Sequence, residues 1–81
     1  MKEVLFLKTD YCGVCKVMLP QVKVFFPDVK EIRLYDEDPR VEQYNIKCVP
    51  TIIIQEDGVE VARHTGSASR NRIEQFLKQN I

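Results

Sequence analysis

The sequence predicts an α/β fold. A four-stranded mixed sheet in spatial order 2-1-3-4 carries three helices on its two faces, in chain order β-α-β-α-β-β-α. Three observations carry this reading. Two runs, Val4-Leu5-Phe6-Leu7 and Ile52-Ile53-Ile54, are apolar without alternation, the pattern of strands buried on both faces. Segments of helical period stand between and after the strands. Asp57-Gly58, following the second run, is a hairpin signal that returns the chain antiparallel.

Lys2–Lys8 is expected as a central strand. Gly13–Phe26 reads as a helix, with Val14, Val17, Met18 and Val22 at helical spacing and Phe25 and Phe26 closing the stripe. Pro27-Asp28 stops it. Val29–Tyr35 alternates only in part, Ile32 and Leu34 against Glu31 and Arg33, which predicts an edge strand. Asp38-Pro39 starts a short helix running to about Tyr44, with Asp38 as N-cap and Pro39 at the first helical position. Thr51–Gln55 is the second central strand, and Val59–His64 alternates and pairs back as the other edge. Ser67 or Ser69 caps the last helix, whose stripe is Ile73, Phe76, Leu77 and Ile81. Strands apolar on both faces need helices on both sides of the sheet.

The 81 residues leave room for one domain, 1–81, and 44% hydrophobic residues are enough for one core. Twelve Lys and Arg balance twelve Asp and Glu. A nucleic-acid reader that depends on a basic face is therefore not expected, nor is electrostatic membrane attachment. The longest apolar run is four residues, Val4–Leu7, against about 20 for a membrane span and about 7–15 for a signal peptide. The chain reads as soluble, cytoplasmic and not exported. Three Cys are an odd number and too few for a disulfide-stapled scaffold, so they are expected to do chemistry or bind metal.

Cys12-Gly13-Val14-Cys15 is the strongest chemical signal. It follows a predicted central strand and opens a predicted helix. Thiols three apart on a helix share a face, close enough to bridge. Cys12 sits at the helix start, where unpaired N–H groups and the dipole favour an anion, and the thiolate is the nucleophile. Cys15, one turn deeper, is expected to be shielded and placed to resolve a mixed disulfide on Cys12. Gly13 is expected to allow the tight turn between them. The second signal is Val49-Pro50-Thr51: a Pro that cannot donate to the ladder, placed just before a central strand.

With these two signals together, the chain resembles the thioredoxin family, in a short form lacking the usual first strand and helix. Tyr11-Cys12-Gly13-Val14-Cys15-Lys16, with Pro20 after it, is similar to the family's Trp-Cys-Gly-Pro-Cys-Lys segment and its helix Pro. Asp36 to Pro39 and Tyr44 to Thr51 are similar to the family's Asp-x-x-Pro and Tyr-x-Ile-x-x-x-Pro-Thr stretches, and Gly66 to the Gly after its last strand. The resemblance implies a thioredoxin-like fold, a cis Pro50 packed against the Cys12–Cys15 pair, and dithiol–disulfide exchange with protein substrates. No cofactor is implied. Tyr11, Gly13, Val14, Val49, Pro50 and Gly66 would line the substrate groove, with an extended substrate segment pairing with the Val49 backbone.

Three departures stand out. Val14 replaces the family's Pro, a position that influences redox poise. Tyr11 replaces the Trp. The family's buried Asp falls at Phe6 and its Lys partner at Ile32, so both charges are absent together. Phe6 and Ile32 would then form an apolar floor under Cys15, which disfavours a charge there.

The remaining candidates have plainer readings. Cys48 is a small apolar residue or a third thiol open to capping or to an oxidant-induced dimer. His64 is expected to be a solvated edge residue. Lys16 and Lys47 could raise the potential near Cys12 or simply be solvated. Asp36-Glu37-Asp38 belongs to a turn and cap. The leading expectation is a monomeric thiol–disulfide oxidoreductase in electron transport and redox homeostasis, recharged by a thioredoxin-reductase-like partner. A glutathione-coupled form is the alternative, although Gly66-Ser67-Ala68-Ser69 lacks the Gly-Gly and Asp that such proteins use. A zinc site from Cys12, Cys15, Cys48 and His64 has the right ligand number but no compact spacing.

Overall fold

The computed structural model describes all residues, Met1–Ile81. Strand β1 is Lys2–Lys8, helix α1 Gly13–Phe25, β2 Lys30–Arg33, α2 Pro39–Gln43, β3 Thr51–Glu56, β4 Val59–Thr65 and α3 Arg70–Asn80. The sheet order is β2-β1-β3-β4. β1 pairs parallel with β2 and antiparallel with β3, and β4 closes the other edge antiparallel to β3. The mixed four-stranded sheet and its order agree with the sequence-based expectation.

The central strands divide their side chains between two cores, because successive residues of a strand point to opposite faces. Val4 and Phe6 of β1 join Ile52 and Ile54 of β3, Cys15, Met18 and Val22 of α1, and Ile73 and Leu77 of α3. Leu5, Leu7, Ile53, Ile32 and Leu34 fill the opposite face, covered by Val41, Tyr44, Ile46 and Val49. Both α1 and α3 therefore lie on one face. The short α2 and the segment after it cover the other.

Two helix stripes differ from expectation. The buried residues of α1 are Cys15, Met18 and Val22, while Val14 and Val17 are exposed. The spacings of three and four run through Cys15, so this cysteine sets the phase of the helix. In α3 the buried pair is Ile73 and Leu77, and Ile81 stands exposed at the C-cap. Of the two candidate caps, Ser69 is the one used: its Oγ accepts from the Arg72 N–H at 3.2 Å.

Strand β2 is shorter than its partial alternation suggested. The Leu34 N–H still bonds to the Lys8 carbonyl at 2.7 Å. The next N–H, of Tyr35, turns instead to the Asp38 carboxylate at 3.3 Å. That same carboxylate caps α2 by accepting from the Arg40 N–H at 2.9 Å. One side chain thus ends the strand and starts the helix.

Candidate functional site

Chain direction places the site at the C-terminal end of β1. There the chain turns through Thr9–Tyr11, with the Cys12 N–H reaching the Thr9 carbonyl at 3.4 Å, and enters α1. Cys12 is the N-cap of α1. Its Sγ accepts from the Cys15 N–H at 3.1 Å. Cys12 and Cys15 are joined as a disulfide, with Cα atoms 5.2 Å apart. Cys12 is half-buried, whereas Cys15 is buried in the α1–α3 core beside Phe6. On cleavage, the sulfur at the helix start keeps a backbone N–H and the positive end of the helix dipole, both of which favour a thiolate.

Gly13 differs from its expected role. It is the first residue of α1, and a Cβ built on it meets nothing within 4 Å. The turn between the cysteines is the helix itself and does not require glycine. Pro20 lies inside the helix, where it removes one i→i−4 hydrogen bond.

A second segment approaches from the start of β3. The Val49–Pro50 peptide is cis, and Pro50 is buried. Val49 packs against both cores, and Cys12 packs against the one holding Cys15. The Pro50 carbonyl accepts from the Gly66 N–H at 2.8 Å. Gly66 has φ of 93°, a conformation that glycine adopts without a Cβ penalty. Val14 and Tyr11 stand at the surface beside the disulfide, Tyr11 almost wholly exposed at 98%.

Cys48 is a free, exposed thiol whose carbonyl accepts from the Thr51 hydroxyl at 2.8 Å. Lys16 and Lys47 are exposed. His64 is half-buried, not solvated as expected: its ring lies 5.9 Å from that of Phe76, and its Nε2 is 3.4 Å from the Ser67 carbonyl. No three His, Cys, Asp or Glu side chains gather closely enough to hold a metal ion, so the four-ligand zinc arrangement does not form. No helix is long and apolar enough to cross a membrane.

Residues 3–79 match the family model described as thioredoxin. The chain belongs to the thioredoxin family. Thioredoxin C-2 of Corynebacterium nephridii is 32% identical over 82 residues, covering 88% of this chain and 71% of that one. Thioredoxin of Chlamydia trachomatis is 26% identical over 76 residues, covering 88% of this chain and 74% of its own length. The solved Fasciola hepatica thioredoxin superposes with a TM-score of 0.77 at 21% identity, covering 99% of this chain and 81% of that one. With a bonded cysteine pair at the family's position, this thioredoxin-family chain is a protein disulfide oxidoreductase.

The two positions of the missing charge pair do not share a face of the sheet. Phe6 lies in the core with Cys15, but Ile32 lies in the core on the other face. Ile32 is in register with Leu7, and the partner of Phe6 is Glu31. Ile32 therefore forms no part of the floor under Cys15. The register instead puts Glu31 on that face, and its carboxylate pairs with Lys8 Nζ at 2.9 Å. The alternation of β2 carried the signal: Ile32 shares a face with Leu34, and Glu31 with Arg33.

Proposed function

We propose that this single domain, residues 1–81, reduces protein disulfides with Cys12 as nucleophile and Cys15 as resolving thiol. The observation that carries the assignment is the asymmetry of the pair. Cys12 is half-exposed at the start of α1 with an N–H on its sulfur, and Cys15 is 1% exposed. The Cys12 thiolate attacks a substrate disulfide and releases one substrate thiolate. Cys15, losing its proton, then attacks Cys12 Sγ and releases the second, leaving the Cys12–Cys15 disulfide. Two electrons pass from the protein to the substrate, and a reductase-type partner returns them.

Val49 supports the substrate-binding reading. Neither its N–H nor its carbonyl takes part in a backbone hydrogen bond, which leaves both for an extended substrate segment. Tyr11, Gly13, Val14, Pro50 and Gly66 frame that segment in this reading. The protein would act as a cytoplasmic monomer, with Cys48 as the point of covalent dimerisation under oxidants.

The test is the reduction potential of the Cys12–Cys15 pair together with insulin-disulfide reduction. Assays coupled to thioredoxin reductase and to glutathione then identify the electron source. No acceleration of insulin reduction over dithiothreitol alone would overturn the reading.

A further inference from the structure

A cleft of about 250 Å³ opens at Tyr11, the residue before Cys12, and its walls include Asp10, Tyr11, Arg33, Tyr35 and Asp36. It lies between the β1–α1 turn and the end of β2. Tyr11, one residue before Cys12, is 98% exposed, and Tyr35 is 59% exposed. Two aromatic rings left in water beside a reactive centre are surfaces for a partner.

The charges of the cleft say what kind. Arg33 pairs with Asp10 at 3.5 Å, which cancels one of each sign. Asp36 is exposed and takes part in none of the chain's ion pairs. The Tyr35 ring already receives a guanidinium, with Arg40 Cζ 5.8 Å from its centroid. That cation is matched by the buried Asp38 at 2.7 Å, so it adds no net charge. The cleft thus offers one unpaired carboxylate and the open Tyr11 ring, next to a Tyr35 ring that already holds the Arg40 guanidinium, which together favour a cation.

We infer that this cleft is a substrate subsite for an Arg or Lys side chain placed within two residues of the cysteine under attack. The spacing is physical: two extended residues span about 7 Å, and the cleft begins at the residue next to Cys12. The inference rests on the disulfide-reductase reading and names the substrate class that this face selects.

Three oxidised peptides test it, identical except for Arg, Gln or Glu two positions from the disulfide cysteine. The wild-type protein should reduce them in the order Arg, Gln, Glu, with kcat/KM for Arg over Glu of about 3–10-fold at low salt. Added salt should compress that ratio. Asp36→Asn should bring the Arg-to-Gln ratio towards one, and Tyr35→Ala should lower it. Both side chains are exposed, so neither change threatens the fold. Equal rates for the three peptides, a reversed order, or an undiminished ratio in Asp36→Asn would overturn the subsite alone. Failure to reduce even the Gln peptide would remove the reductase reading, and the subsite with it.

Discussion

Phe6 and Ile32 lie on opposite faces of the sheet. They occupy the positions matched to the family's buried Asp and Lys, yet the register of β1 with β2 keeps them apart. A charge pair restored at these two positions would not meet. Phe6→Asp should destabilise the protein by at least about 3–5 kcal/mol, the cost of deleting a buried aromatic, with an unpaired carboxylate added. Adding Ile32→Lys should recover none of this. Adding Glu31→Lys, on the same face and in register, should recover 0.5 kcal/mol or more, on the order of couplings between neighbours. Denaturant unfolding of the single and double variants measures both couplings. Rescue by Ile32→Lys would mean that the register is wrong.

The cysteines should separate in trapping. Cys15→Ser should hold a stable mixed disulfide with substrate, because nothing displaces it from Cys12. Cys12→Ser should trap none, since Cys15 is buried. Turnover should fall to background in both. Mass spectrometry after incubation with an oxidised peptide reads the outcome, and equal trapping by the two variants would reverse the assignment.

Cys48 is exposed and lies outside the disulfide. Cys48→Ser should keep most of the turnover and lose any covalent dimer formed under peroxide, as seen on non-reducing gels. A loss of turnover comparable to that of Cys12→Ser would place the third thiol in the reaction.

Two glycines beside the site should behave oppositely. Gly13 begins α1 with open space where a Cβ would go, so Gly13→Ala should raise stability by up to about 0.5–1 kcal/mol. Gly66 has φ of 93°, so Gly66→Ala should cost about 1–2 kcal/mol. It should also weaken turnover, because the Gly66 N–H holds the Pro50 carbonyl. Thermal unfolding with a turnover assay distinguishes them.

The elements were legible where burial is two-sided. Val4–Leu7 and Ile52–Ile54 cannot be solvated on either face, so they announced β1 and β3 and fixed the centre of the sheet. The cysteine pair was legible from its spacing and its place after a strand. Helix phase was not, because α1 has valines on its exposed side as well as its buried one. Only the burial of Cys15 in the core that also holds Phe6 and Ile52 decides between them. Inter-strand register escaped for a related reason. Counting residues back from Asp36 gives a position along the chain but no face, and the face depends on which β2 residue stands opposite Phe6. The end of β2 was hidden too, because a carboxylate three residues ahead takes the Tyr35 N–H.

That carboxylate gives the acid response of the fold. Asp38 is buried, and hydrogen bonds from the Arg40 side chain hold its pKa down from 3.8 to about 2, with help from the Arg40 and Tyr35 N–H groups. The unfolded chain therefore binds a proton at a higher pH than the folded one. The stabilisation is complete above the unfolded value of 3.8 and is lost as pH falls through about 2. Glu60, lowered from 4.5 by its hydrogen bonds with Arg63, acts in the same direction. Asp38→Asn isolates the charge, because Asn caps helices about as well as Asp. At neutral pH the variant should melt a few degrees below wild type. Between pH 3.8 and about 2 the wild-type Tm should fall more steeply, and the two curves should converge at the acid end. Parallel curves across that window would show that the Asp38 charge does not hold the junction between β2 and α2.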